Sequence, residues 1–172
     1  LSILNLLMNK ILITGANGYI GNCLFHFLKG RFKIIGIDKE KSPNKQILQC
    51  NILNKKKLDL IIKKEKPEII IHLAAQSLVD ETINKKKYYI NNIVATDTLL
   101  KSMKENGIKK LIFSSTAAVY QQSSKPLKEK SKLKPLSTYA KNKLICEQII
   151  KKNKNIKSII LRFFNVCSAI DK

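Results

Sequence analysis

No two of the four cysteines stand close in the chain. Cys23, Cys50, Cys146 and Cys167 show no C-x-x-C spacing, which excludes a zinc knuckle and a disulfide framework and suits a reducing compartment. A run of membrane length is missing too. The apolar start, Leu1 to Met8 (LSILNLLM), is far too short to span a bilayer. It has no charged leading region and no small-residue cleavage site before Lys10. The expectation is an N-terminal extension over residues 1–9, with Met8 as the natural start, on a cytoplasmic protein with no membrane partner. Arginine is nearly missing. Arg31 and Arg162 are the only two among 33 basic residues, set against 12 acidic ones, so the net charge of +21 is almost wholly lysine. Base reading and phosphate forks favour the planar arginine donor set. The lysines are scattered apart from short runs such as Lys55-Lys56-Lys57 and Lys85-Lys86-Lys87. Asparagine and isoleucine are abundant as well, as AT-rich codons would supply, so the charge is read as compositional and no nucleic-acid partner is expected.

With no internal repeat and no linker, 172 residues that are 44% hydrophobic read as one domain around one core. Short apolar bursts alternate with amphipathic stretches. Strands are expected at Lys10–Thr14, Phe32–Asp38, Gln46–Ile52, Glu68–Ala74, Lys110–Ser115 and Ile156–Phe163. Helices are expected at Tyr19–Leu28, Asn54–Lys66, Lys87–Asn106 and Ser137–Lys152, with Pro67 and Gly107 as stops and a polar loop over Ser123–Leu136. Continuously apolar strands separated by helices indicate an α/β fold, a doubly wound parallel sheet covered on both faces.

Three constellations carry chemistry. Gly15, Gly18 and Gly21 give a G-x-x-G-x-x-G turn between the first strand and helix. Gly15 allows the tight turn, Gly18 admits a pyrophosphate against backbone, and Gly21 lets the helix pack closely. Asp38 ends the next strand 17 residues after Gly21. A carboxylate there accepts from adenosine ribose hydroxyls and repels a 2′-phosphate, which favours NAD over NADP. Next, Tyr139 and Lys143 stand four apart on one helical face. A lysine ammonium beside a phenol would lower its pKa from about 10, toward the range of general acid–base work. In a lysine-rich chain this Y-x-x-x-K spacing also arises by chance. Finally, Ser114 and Thr116 place hydroxyls at the carboxyl edge of the fifth strand, where open α/β sheets bind ligands. Thr116 could bond a sugar oxygen and relay its proton to Tyr139. His26 and His72 read as structural, and no metal site is expected.

The segments TGANGYIG, HLAAQSLVDET, YYINNIVAT, FSSTAAVY, YAKNK and LRFFNV follow in the order and spacing of an extended short-chain dehydrogenase/reductase. The chain resembles the UDP-glucose 4-epimerases of the NAD-dependent epimerase/dehydratase family from about Lys10 to Ala169. Thr116-Ala117-Ala118 is closer to the epimerase version than to the acidic pair of related dehydratases. The resemblance implies a Rossmann fold with bound NAD and a UDP-sugar substrate, epimerised at C4 through a 4-keto intermediate. It makes Tyr139 the base, Lys143 its tuning partner and the holder of the nicotinamide ribose, and Thr116 the relay. Tyr19 and Ile20 would flank the pyrophosphate, Asn51 and Ile52 meet the adenine, and Leu73, Ala74 and Ala75 line the turn beside the cofactor. Asn92, Phe163, Phe164 and Asn165 would face the nicotinamide and the sugar nucleotide, with Ser77 on the substrate side. A homodimer through helices like Lys87–Asn106 and Ser137–Lys152 is a further expectation. Three residues depart from the family pattern. Asn51 stands for a usual aspartate, and Gln121 and Ser168 stand for glycines. The larger departure is length, since the smaller C-terminal domain that grips UDP in the family is mostly lacking. Another extended short-chain sugar-nucleotide enzyme, a dehydratase or reductase, and a non-catalytic NAD-binding fragment remain the alternatives.

Overall fold

The computed structural model describes residues 9–77 and 84–167. The expected extension up to Met8, residues 78–82 of the HLAAQSLVDET segment and Ser168 lie outside the described residues. Six strands form one parallel sheet in the order β3-β2-β1-β4-β5-β6. They are β1 (Lys10–Thr14), β2 (Lys33–Asp38), β3 (Ile47–Gln49), β4 (Ile69–His72), β5 (Lys110–Thr116) and β6 (Lys157–Phe163). The helices are α1 (Tyr19–Leu28), α2 (Lys55–Glu65), α3 (Lys85–Tyr88), α4 (Ala95–Glu105) and α5 (Thr138–Lys152).

Alternation along the strands sorts their side chains onto two faces. Leu12, Ile35, Ile70, Leu111 and Phe113 join Leu58, Ile62, Leu99, Met103 and Ile150 of α2, α4 and α5 in one core. Their strand neighbours Ile11, Ile13, Ile34 and Ile71 join Phe25 of α1 in the other. The chain runs outward from β1 to β3, then crosses back to place β4 on the other side of β1. That reversal opens a crevice at the carboxyl ends of β1 and β4. Among the described residues β6 is the outermost strand at the far end. Its Ile160 packs on the first core, while Ile159 (58% exposed) and Leu161 face solvent.

The strands and helices expected from sequence are all present, with ends shifted by a residue or three. The largest shortening is at β3, which keeps only Ile47–Gln49 of the expected Gln46–Ile52 because the chain turns at Asn51, whose backbone and side-chain oxygens accept from Asn54 N and Leu53 N. Asn54 caps α2 by accepting from Lys57 N, and Lys66 closes it in the left-handed conformation. The expected helix over Lys87–Asn106 begins earlier, at Lys85, and is interrupted by a π-helical turn over Tyr89–Val94. Such turns insert a residue into the helical register, and periodicity alone does not reveal them. Gln121 keeps a negative φ despite replacing a glycine, since Lys66 is the one non-glycine among the described residues with positive φ.

One buried chain of hydrogen bonds ties β1, β4 and α4 together beneath the crevice. Ala74 N donates to Thr14 Oγ1 at 3.2 Å, and Thr14 Oγ1 lies 2.7 Å from His72 Nδ1. His72 Nε2 lies 3.2 Å from Thr96 Oγ1, which donates to Asn92 O at 2.7 Å. Thr96 spends its proton on Asn92, so it accepts from Nε2–H, and Thr14 donates to a bare Nδ1. His72 is therefore the neutral Nε2–H tautomer. Burial first, and the Lys143 charge second, bring its pKa down to about 3. The unfolded chain, with an ordinary histidine near 6.5, takes up the proton first. The His72 contribution to stability therefore stands at its full value above about pH 6.5 and falls as pH drops toward 3, by up to about 1.4 kcal/mol per pH unit. Urea unfolding between pH 7 and 5, above the carboxylate range, isolates this slope. The His72→Gln variant should lose it.

Candidate functional site

A cavity of about 500 Å³ opens at the carboxyl edge of the sheet, over the crevice between β1 and β4. Its floor is the glycine turn. Gly15 has φ +71°, and a Cβ there would sit 2.7 Å from Ala74 N. A Cβ on Gly21 would meet Gly15 O at 2.2 Å. Neither position admits a side chain, so strand, turn and helix touch by backbone alone. Gly18 differs, because its Cβ would meet only Gly15 O, at 3.2 Å. It is the N-cap of α1 with no side-chain cap, and no acidic residue lies in the first turn. The positive end of the helix is thus presented to the cavity lined by Gly18, Tyr19, Ile20 and Gly21.

Asp38 forms one end of the cavity. Its Oδ2 accepts from Asn17 N at 3.0 Å and its Oδ1 from Glu40 N at 3.1 Å. The carboxylate is held by two backbone amides, and each oxygen retains further acceptor capacity. Asn51 and Ile52 line the wall beside it, where Asn51 commits its Oδ1 to Leu53 N at 3.0 Å.

At the other end lie Tyr139 and Lys143 from α5, Ser114 and Thr116 from β5, Phe163 from β6, and Asn165 beyond it. Leu73, Ala74, Ala75 and Ser77 follow β4 along the same wall. Ser137 caps α5 by accepting from Ala140 N, which fixes the first turn that carries Tyr139. Thr116 caps the 3₁₀ turn Ala117–Val119 by accepting from Ala118 N at 3.2 Å. Ser114 donates to His72 O at 3.0 Å, and its own carbonyl accepts from Lys143 Nζ at 2.7 Å.

Two expectations are corrected here. The Lys143 ammonium makes no hydrogen bond to the Tyr139 hydroxyl. It donates to Ser114 O and stands 5.9 Å from the Tyr139 ring centroid and 4.7 Å from that of Phe113. Burial pushes the Tyr139 phenol up rather than down, and brings Lys143 down to about 8. Asn92 does not line the cavity. It is 2% exposed and sits behind the wall, accepting from Gln76 N at 2.7 Å and donating to Gln76 O at 3.3 Å. The residue in the wall is its neighbour Asn91, and both lie in the π turn. Gln76 and Ser115, within the HLAAQSLVDET and FSSTAAVY segments, also line the wall, with no role expected for either from the sequence. Glu147 and Arg162 escaped as well. A charged pair inside a sheet–helix contact leaves no spacing signature.

Among the described residues no helix is long and apolar enough to cross a membrane. Comparison with known proteins agrees with the geometry. The sequence profile of the NAD dependent epimerase/dehydratase family matches residues 11–172. A UDP-glucose 4-epimerase of Rhizobium meliloti is 34% identical over 94% of this chain and 53% of that protein. One from rice, Oryza sativa, is 31% identical over 95% and 53%. The Brucella ovis UDP-glucose 4-epimerase, solved in complex with NAD, superposes with TM-score 0.85 at 28% identity, over 91% of this chain and 52% of that one. The Campylobacter jejuni UDP-Glc/GlcNAc 4-epimerase superposes with TM-score 0.82 at 32% identity, over 94% and 56%. The chain spans about half the length of these relatives. Glycine turn, strand-end acid, sheet order and a profile match over nearly every residue lead to one assignment: the chain belongs to the NAD dependent epimerase/dehydratase family.

Proposed function

We propose that this chain binds NAD and carries the acid–base residues for epimerisation at C4 of a UDP-hexose, such as UDP-glucose and UDP-galactose. The observation that supports it best is the fit of one cavity to both tasks. The side-chain-free turn and capless helix start suit a pyrophosphate, and the amide-held Asp38 suits ribose hydroxyls. Tyr139, Lys143 and Thr116 stand at the opposite end. Bound NAD supplies a reversible hydride acceptor for C4. The remaining work belongs to the chain. Tyr139 takes the proton of the C4 hydroxyl as the carbon is oxidised, and returns it when the 4-keto sugar is reduced on its other face. Thr116 bonds the sugar oxygen and passes the proton. Lys143, fixed on Ser114 O, holds the nicotinamide ribose and keeps a positive charge near a phenol whose burial disfavours ionisation. Asn165 and Ser77 contact the sugar nucleotide, and Phe163 contacts the cofactor. Ala117 and Ala118 in the turn after Thr116, where related dehydratases carry an acidic pair, favour the epimerase over that alternative. A homodimer through α4 and α5 belongs to the same reading, with Ile145 exposed on α5.

Calorimetric titration of the chain with NAD tests the cofactor half. Gly18→Asp should fold normally and bind roughly 100-fold more weakly or worse, because a carboxylate then meets two phosphates. Gly21→Ala should instead lower stability by about 1–3 kcal/mol, since its Cβ has no room. Equal NAD affinity in Gly18→Asp would sink the assignment of the turn. For the catalytic half, Tyr139→Phe should reduce UDP-galactose turnover by roughly 10²–10⁴-fold without changing NAD affinity.

A further inference from the structure

Glu147 is the one fully buried carboxylate among the described residues. It lies on α5, four residues beyond Lys143 and eight beyond Tyr139, so the three share a stripe of the helix. Its Oε1 accepts from Ser115 Oγ at 2.5 Å and from Arg162 Nε at 3.0 Å. Its Oε2 accepts from Arg162 Nη2 at 2.7 Å, with the Lys151 ammonium 3.8 Å away. Arg162 continues the network, donating from Nη1 to Tyr120 OH at 2.9 Å and to Glu129 O at 3.2 Å. Burial works against this carboxylate, yet the Arg162 and Ser115 bonds hold it below its ordinary pKa. It is a charged, doubly bonded pair in a fixed geometry.

Its donors come from chosen places. β5 and β6 pair Ser115 with Arg162 and, one step on, Thr116 with Phe163. Each donor thus immediately precedes a residue of the cavity wall. One carboxylate on the helix of Tyr139 therefore grips both strand ends that carry Thr116 and Phe163. A lysine one turn earlier grips Ser114 O.

We propose that Glu147, together with Arg162, is a positioning residue: it locks the Tyr139–Lys143 stripe of α5 onto the ends of β5 and β6 and so fixes Tyr139 relative to Thr116. The inference rests on the roles given above to Tyr139 and Thr116. Neither Glu147 nor Arg162 touches substrate. A buried pair retained where apolar packing would serve stability as well is suited to specifying a geometry.

The ionisation midpoint of Tyr139 in the full chain tests this. It is read from ¹³Cζ-tyrosine resonances, assigned with Tyr139→Phe, and needs neither cofactor nor turnover. Failure of the epimerase reading would appear separately, as absent NAD binding or absent turnover in the unaltered chain. The groups that bear on Tyr139 are Cys146, through its charge, and Lys143, both on α5. Loosening the lock should admit water along the helix face. The midpoint should then fall toward the ordinary value near 10 in Ser115→Ala, Glu147→Gln and Arg162→Gln alike. The two charge removals have opposite signs, so a shared direction reports position rather than field. Opposite shifts, or no shift in variants whose thermal unfolding shows them folded, overturn the proposal. If a single charge removal does not fold, the double variant Glu147→Gln/Arg162→Gln leaves no lone charge and is read with Ser115→Ala by the same criterion.

Discussion

At the carboxyl end of β1, three stretches of backbone meet with no room for a methyl group between them. Gly15 packs against Ala74 after β4, and Gly21 in α1 packs against the carbonyl of Gly15. This absence of side chains sets the distance between the strand, the helix start and the loop beyond β4, and the cavity takes its depth from that distance. The parallel order that brings β4 beside β1 would be compatible with many turns. Only one built of glycines at these positions leaves the helix end bare and close enough for its dipole to act on a bound anion.

Around that floor the polar groups are buried in self-consistent sets rather than singly. The Thr14–His72–Thr96–Asn92 chain spends each proton once, and the Glu147–Arg162–Ser115 set satisfies a charge that would otherwise be costly in a low dielectric. Both sets run behind the cavity. They explain why residues with no direct contact to a ligand sit at the sites where the sheet edge and the helices must hold their spacing.

Much of this was legible in the sequence because it rests on local rules. The glycine spacing, the strand-end Asp38 and the alternation of apolar bursts with amphipathic stretches each have a meaning within a few residues of themselves. The wall residues on β5 and α5 were legible for the same reason, through motifs. What escaped depends on contacts across the fold. Asn91 rather than Asn92 faces the cavity from within the π turn at Tyr89–Val94, and no periodicity announces that turn. The direction of the Tyr139 shift depends on burial, with the Cys146 charge beside it, while the Lys143 ammonium is committed to Ser114 O. Glu147 and Arg162 lie fifteen residues apart and meet only because α5 folds back along β6.

The edge at β6 has a colloidal consequence. Among the described residues no strand pairs with the outer side of β6, and Ile159 and Leu161 are uncovered on one face, which together form a template for another strand. Against that attraction stands a net charge of +21, which repels like molecules over a distance set by the ionic strength. Added salt removes the repulsion and leaves the sticky edge unchanged. The counter-ions around the chain thus set the balance between repulsion and strand-to-strand association at this edge.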